Sequence, residues 1–294
     1  MRPMLLLFTI VVLSTNAAFA QRVGDTVVVI QDCQIKSGDA ATDQAFPGLT
    51  LKVNAIKGKS LWVSNGIPGW IDSENTVPVE DAIAYFSDQI RHNPTAAHYG
   101  ARGFVWYGKK KFDSAISDCA QAILLNPRGA AFYELRGLCL LAKERWDGAI
   151  ADFDEAIRLG PTFRMYTHRG SAWAGKKDYR QAIADFDEAM RLEPRYVFSY
   201  SSSAWLRATC PDAKYRDAQR AISDATTACK LENWKRANSL GTLAAAYAEA
   251  GDFKEAVKWE EKALELASES DREEWRTRLT LYRSGKPFRD TPLE

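Results

Sequence analysis

AIADFDEAIRLGP (149–161) and AIADFDEAMRLEP (182–194) are two copies of one sequence that start 33 residues apart. Eleven of the thirteen positions are identical. Ala149, Phe153 and Ala156 are spaced by four and then three residues, which places their side chains on one face of a helix. Each copy ends in proline, which cannot continue a helix. The two copies therefore indicate one helix written twice, and such internal repeats are typical of a repeat array.

Another predicted helix, the first of each pair, precedes each copy. It carries an aromatic residue followed four positions later by glycine, as in Tyr133 and Gly137. Glycine has no side chain, so two helices can approach closely there. Short polar stretches such as GKKKF (108–112) and GKKDY (175–179) are the expected turns between the helices. Together these features predict helix pairs with a period of 33–34 residues.

The period, the aromatic–glycine spacing and the final proline resemble the tetratricopeptide repeat family in three consecutive units. The resemblance implies antiparallel helix pairs that stack into a right-handed superhelix with a concave binding face. A fourth unit has a turn enlarged by about five residues, and SLGTLAAAYAEAGDFKEAVKWEEKALELA (239–267) is the fifth. We expect about five units over 95–268, a capping half-repeat helix at 79–94, and a C-terminal capping helix and tail at 269–294.

In residues 21–78 the apolar residues recur in the short runs typical of β-strands instead. DTVVVI (25–30), LTLKV (49–53), SLWVS (60–64) and PGWID (68–72) are the predicted strands, and Asn65-Gly66 is a hairpin signal. We expect a small all-β barrel, so the fold class is mainly α, an α-solenoid preceded by this barrel. LWVSNGIPGWI (61–71) resembles a bacterial Src-homology-3-like domain. That resemblance implies binding of wall peptides or partner proteins, and a purely structural cap remains the alternative.

The first twenty residues are predicted to be a secretory signal peptide. Arg2 precedes an apolar run of ten residues, and Ala18-Phe19-Ala20 fits a cleavage site after Ala20. An uncleaved anchor is the alternative, but spanning a bilayer takes about 20 apolar residues. We therefore expect a periplasmic or secreted protein without stable membrane insertion after cleavage.

Composition limits the function classes. The 294 residues are 46% hydrophobic and 26% charged, and 39 Lys and Arg balance 38 Asp and Glu. Such a balance gives no field that would attract nucleic acid, so we expect no nucleic-acid partner. The five cysteines include no Cys-x-x-Cys motif. We expect mostly free, buried thiols, with one disulfide left open.

No motif for chemistry stands out. The three histidines form no metal-binding or triad motif, and no glycine-rich phosphate loop occurs. DFDEA at 152–156 and 185–189 groups three carboxylates, which permits a metal or acid–base interpretation. We expect these carboxylates on the solvent side instead, paired with Arg158 and Arg191 in helical reach. The sequence predicts no catalytic residue, no metal and no cofactor.

In the tetratricopeptide family the first helix of each pair lines the groove, so the resemblance implies a partner site there. The Lys and Asn clamp with which some members hold a peptide carboxylate is absent. Phe104, Tyr107 and Trp205 are the expected anchors, with packing between helices as the alternative, and Arg164 and His168 are candidates to meet an acidic group. The predicted groove residues are Phe104, Tyr107, Glu134, Leu138, Arg164, His168, Ser201, Trp205 and Asn238.

These features favour an exported, non-enzymatic scaffold that binds a protein or peptide partner on its repeats. The alternative is a cell-wall protein whose barrel binds peptidoglycan peptide while the repeats recruit a partner. An undetected hydrolase is a third hypothesis, which lacks a set of nucleophile, base and orienting residue.

Overall fold

The structure is a computed structural model that describes residues 22, 24–37, 40–45, 47–57, 59–64, 69–269 and 272–290. The predicted signal peptide and the Asn65-Gly66 turn lie outside the described residues. The chain divides into two compact units between His92 and Asn93.

The first unit is an antiparallel sheet in the order β3-β2-β6-β5-β4-β1-β7. Its core alternates along the strands, since Leu51 and Val53 are buried while Lys52 and Asn54 are exposed. One side of each strand therefore faces the core. The strands are β1 (Thr26–Val29), β2 (Cys33–Ser37), β3 (Ala40–Ala45), β4 (Thr50–Lys57), β5 (Ser60–Ser64), β6 (Gly69–Asp72) and β7 (Thr76–Pro78).

The four predicted strands correspond to β1, β4, β5 and β6. Strands β5 and β6 pair antiparallel, as the predicted hairpin requires. Strands β2, β3 and β7 were not predicted. The unit ends with α1 (Ala82–His92), whose Ala82 and Phe86 are buried. That this helix caps the repeats stays a prediction.

The second unit consists of helix pairs that confirm the predicted fold class. The two helices of a pair contact each other, and each pair contacts the next in sequence. The pairs are α2 (Ala96–Gly108) with α3 (Phe112–Leu125), α4 (Ala130–Ala142) with α5 (Trp146–Leu159), α6 (Phe163–Gly175) with α7 (Tyr179–Leu192), α8 (Val197–Thr209) with α9 (Ala218–Leu231), and α10 (Ala237–Glu249) with α11 (Phe253–Leu266).

Close packing at glycine explains why the aromatic–glycine spacing recurs. A Cβ placed on Gly137 would lie 2.9 Å from the Phe153 ring, and one on Gly170 would lie 2.7 Å from the Phe186 ring. Phe153 and Phe186 are themselves buried. In the second and third pairs the glycine of the first helix thus receives the phenylalanine of the second helix, which is the close approach that the aromatic–glycine spacing predicted.

A buried arginine–aspartate pair joins the two helices of the first three pairs. Arg136 Nε donates to Asp152 Oδ2 at 2.8 Å, and its Nη2 donates to Oδ1 at 2.7 Å. Such two-point contacts fix geometry as well as charge. The same contact, with the same distances, is made by Arg102 with Asp118 and Arg169 with Asp185.

These contacts correct the interpretation of the DFDEA stretches. Asp152 and Asp185 are buried, at 5% and 6% exposed, and do not lie on the solvent side. The predicted solvent-side partners are correct for the glutamates: Glu155 accepts from Arg158 at 2.5 and 2.8 Å, and Glu188 accepts from Arg191 at 2.6 and 2.8 Å. The three-residue spacing along one helix predicted the partners of Glu155 and Glu188. The partner of Asp152 is Arg136, which lies on the neighbouring helix.

The fourth pair departs from the pattern. Its connection spans eight residues, 210–217, where the other pairs have three, which confirms the predicted enlargement by five. Arg216 holds this loop, because its Nη1 donates to the Cys210 carbonyl at 2.9 Å and its Nε donates to Glu249 at 2.8 Å. Ser203 stands at the arginine position and donates to Asp224 at 2.8 Å.

The array ends in α12 (Arg272–Arg283), which packs on α11. Trp275, Leu279 and Tyr282, the residues expected to cover the last repeat, are buried, and the role of α12 as a cap stays a prediction. Glu260 of α11 is fully buried and accepts from Arg278 Nε at 2.8 Å. This ion pair fixes the last helix against the fifth repeat.

Candidate partner-binding site

The first helices α2, α4, α6, α8 and α10 contact one another in series. We call the continuous surface they form the first-helix face. All nine predicted groove residues lie on these helices. The structure distributes them over three regions that differ in burial and charge.

At the N-terminal end the predicted residues are half-buried. Phe104 and Tyr107 pack against the cluster of Ala115, Cys119, Leu135 and Cys139. The Tyr107 ring also lies 5.9 Å from the Phe112 ring. Leu138 packs against the next cluster along the array. Much of the area of these side chains is thus used between helices, and their role as anchors stays a prediction.

The middle region carries Glu134, Arg164 and His168. Burial raises the pKa of Glu134, and the nearby Arg164 guanidinium partly offsets this. Burial, together with the smaller effect of the Arg164 charge, lowers the pKa of His168 from 6.5 to about 4. The His168 ring stacks on Phe153 with centroids 5.9 Å apart. His168 is therefore neutral at pH 7, so the expected attraction for an acidic group falls on Arg164 alone.

The C-terminal region contains a cavity of about 690 Å³ between α6, α8 and α10. Its walls combine aromatic rings with hydroxyl groups, which suits an extended peptide with apolar and polar groups. Of the predicted residues, Ser201 and Trp205 line it, whereas exposed Asn238 does not. Other lining residues include Trp146, Tyr179, Ser202 and Thr242.

Trp205 is contacted by a C-terminal segment of the chain, which the sequence did not predict. The chain continues beyond α12, and Asp290 Oδ2 accepts a hydrogen bond from Trp205 Nε1 at 2.8 Å. The Phe288 ring lies 5.7 Å from the Trp205 ring. No local pattern predicts a contact between residues 85 apart in sequence. A segment of the chain itself therefore covers Trp205, one of the three predicted anchors.

The first unit has a cavity of its own, of about 660 Å³. Lys36, Lys57 and Trp70 line it, together with Cys33 and Asn75. Two ammonium groups beside an indole can hold a carboxylate next to an apolar group. This combination of charge and ring is suited to an anionic peptide.

The described residues give little support to other chemistry. No three His, Cys, Asp or Glu side chains in the described part of the chain are placed to hold a metal ion. None of the described helices is long and apolar enough to cross a membrane. Burial raises the pKa of the Cys139 and Cys229 thiols to about 12, which makes them poor nucleophiles.

Comparison with known families identifies the helix pairs. Models described as tetratricopeptide repeat match residues 107–162, 163–196 and 236–269. The helix pairs in the matched residues are therefore tetratricopeptide repeats, and proteins built from these repeats act as scaffolds for protein interaction. No curated protein matches the chain significantly.

Solved structures support the same fold. YrrB, described as a TPR protein with an unusual peptide-binding site, has a TM-score of 0.51 at 17% identity over 68% of this chain and 97% of its own. A chain of the APC/C hetero-tetramer Cut9–Hcn1 has a TM-score of 0.59 at 17% identity, over 68% and 39%. Yeast Tom70 has a TM-score of 0.54 at 19% identity, over 69% and 43%. At these identities the likeness shows the fold alone.

Proposed function

We propose that this chain is an exported, non-enzymatic adaptor that binds a protein or peptide segment on the first-helix face of its repeats. The observation that carries the proposal is the cavity beside Trp205, with its mixed aromatic and hydroxyl walls. Repeat arrays use such extended faces for binding. Export rests on the predicted signal peptide, and a mature chain that begins at Gln21 by mass spectrometry is its test.

Site-specific photo-crosslinking tests the binding face. A photoreactive amino acid at Ser202, which lines the cavity, is expected to capture a discrete partner in envelope extracts. The matched control is the same group at Leu124 on α3, which is 75% exposed but lies on a second helix. Equal capture from both positions would refute a partner site on the first-helix face.

The alternative proposal is that the first unit, a bacterial Src-homology-3-like domain, binds cell-wall peptide. The observation in its favour is the cavity lined by Lys36, Lys57 and Trp70. Peptidoglycan peptides carry carboxylates, so neutralising both lysines should weaken binding. Sedimentation of the full mature chain with purified peptidoglycan, compared with the Lys36→Ala, Lys57→Ala variant, tests it. Equal sedimentation of both chains, or of neither, would rule the alternative out.

A further inference from the structure

We propose that the segment Phe288–Asp290 is an internal ligand of the repeats, and that the partner presents the same chemistry. The partner would be an extended peptide with an aromatic side chain two residues before a carboxylate. The inference rests on the proposed function, because it names the partner class of that site. It also adds a regulatory step, since the partner must displace the segment.

Both ends of the segment engage one residue of the site. Phe288 packs its ring beside the Trp205 indole, with centroids 5.7 Å apart. The Asp290 carboxylate accepts from the indole N–H at 2.8 Å. A hydrogen bond to an ionised acceptor is stronger than a neutral one. Trp205 thus selects an aromatic group and an acidic group at a fixed separation.

The middle of the segment is also recognised. Arg289 Nη2 lies 2.6 Å from Glu249 Oε2, and Arg289 Nη1 donates to the Ala208 carbonyl at 3.3 Å. The Glu249 side chain is 14% exposed, so its charge is poorly screened by water. Glu249 therefore favours a cationic residue between the aromatic and the acidic one.

The backbone of the segment pairs with the last turn of α8. Asp290 N–H donates to the Thr209 carbonyl at 3.0 Å. Carbonyls in the last turn of a helix lack partners within the helix, so they are available to an incoming peptide. A partner with an extended backbone can make the same bond whatever its side chains.

The segment can leave without loss of the helix that precedes it. Helix α12 is held by buried Trp275, Leu279 and Tyr282, none of which belongs to the segment, and Phe288 packs only at the edge of the cluster around Tyr282. Phe288 and Arg289 are only half-buried, and Asp290 is exposed. The cavity of about 690 Å³ continues beside Asp290, which leaves room for a peptide longer than the segment.

Tethering makes the segment an effective competitor. A short flexible connection gives an effective concentration on the order of millimolar. The apparent affinity of any partner equals its intrinsic affinity multiplied by the fraction of molecules whose site is open. Removing the contacts of the segment should therefore raise the affinity for a peptide of the same chemistry.

The test uses full mature chains and a fluorescent peptide, acetyl-Lys-Pro-Phe-Arg-Asp-amide, in a polarisation titration. The Phe288→Ala, Asp290→Ala variant is expected to bind it at least about tenfold more tightly than the wild type. Adding Trp205→Ala to that variant should abolish the gain. The control Lys286→Ala, which alters an exposed residue of the same tail, should bind like the wild type. Equal binding to the wild type and the double variant, or no binding to either, would overturn the proposal.

Partner capture separates this inference from the proposed function. If the peptide competes with the captured partner, both are supported. A partner captured through Ser202 that the peptide does not displace would sink the internal-ligand inference and leave the adaptor function standing. Peptide binding to the Phe288→Ala, Asp290→Ala variant without any captured partner would support the internal ligand and contradict the adaptor function.

Discussion

At the scale of single residues, glycine decides how closely the two helices of a repeat pack. The aromatic–glycine spacing was visible in the sequence, and it indicated that two helices approach closely at the glycine. What the sequence did not show is which ring would lie against each glycine, because that contact comes from the second helix. The structure supplies the pairs Gly137 with Phe153 and Gly170 with Phe186.

Substitution of Gly170 by alanine tests this packing. The added methyl group would lie 2.7 Å from the Phe186 ring and 3.2 Å from the Ala182 carbonyl, so one helix must shift. We expect a loss of about 1–3 kcal/mol in the free energy of unfolding, as for other overpacked sites. Gly108→Ala is the matched control, since nothing lies within 4 Å of that site. Urea denaturation measures both, and equal stabilities would contradict the packing account.

Turn residues of the first three pairs adopt a left-handed conformation. Lys110, Glu144 and Lys177 have φ values of 57°, 56° and 67°, whereas the fifth pair places Gly251 (φ 80°) at the same point. A residue with a Cβ loses about 1–2 kcal/mol in this conformation. We predict that Lys177→Gly raises the midpoint of urea denaturation, while Gly251→Ala lowers it. A lower midpoint for Lys177→Gly would show that its side chain contributes more than the turn conformation costs.

Buried Glu260 predicts a pH dependence. Burial, with a smaller contribution from Glu274, raises its pKa from 4.5 to about 7, although the Arg278 charge and hydrogen bond oppose the rise. Between these values the unfolded chain has lost the proton that the folded chain keeps, so the free energy of unfolding falls as pH rises through this window. Glu260→Gln should remove that decline, measured by denaturation at pH 4.5, 6 and 7.5. His168, with its lowered pKa, acts in the opposite direction and is present in both chains, so the difference isolates Glu260.

At the scale of elements, the helices were predictable and their polar contacts were not. Apolar spacing and prolines are local signals, so the helix pairs followed from them. The Arg–Asp contacts join residues 16 positions apart on different helices, which no local spacing reveals. Strand β2 was missed because CQIKS has only two apolar residues, β3 because AATDQA lacks apolar alternation, and β7 because TVP is short and ends in proline.

Removing one partner of a buried ion pair should cost more than removing an exposed one. Arg136→Ala leaves Asp152 buried without its cation, and we expect a loss of about 3 kcal/mol. Arg158→Ala breaks an exposed, solvent-screened pair with Glu155 and should change the stability far less. Thermal or urea denaturation compares the two variants. Similar losses would mean that the inter-helix contact of Arg136 adds nothing to the stability of the array.

At the scale of the whole molecule, the proposed binding face could be predicted from the sequence, whereas the segment that lies on Trp205 could not. The family resemblance placed the groove on the first helices and named Trp205 as an anchor. The segment that covers Trp205 is far away in sequence and carries no motif of its own. The cavity likewise needs helices from several repeats in place before it exists.

The most direct test of the adaptor account is a quantitative pull-down from envelope extract with the mature chain as bait. Trp205→Ala and Trp234→Ala variants run beside it, since Trp234 is an indole outside the first-helix cavity, stacked on Trp259 with centroids 5.1 Å apart. The account predicts a discrete partner that is retained by the wild type and Trp234→Ala and lost with Trp205→Ala. A partner retained equally by all three baits would contradict binding at the first-helix face.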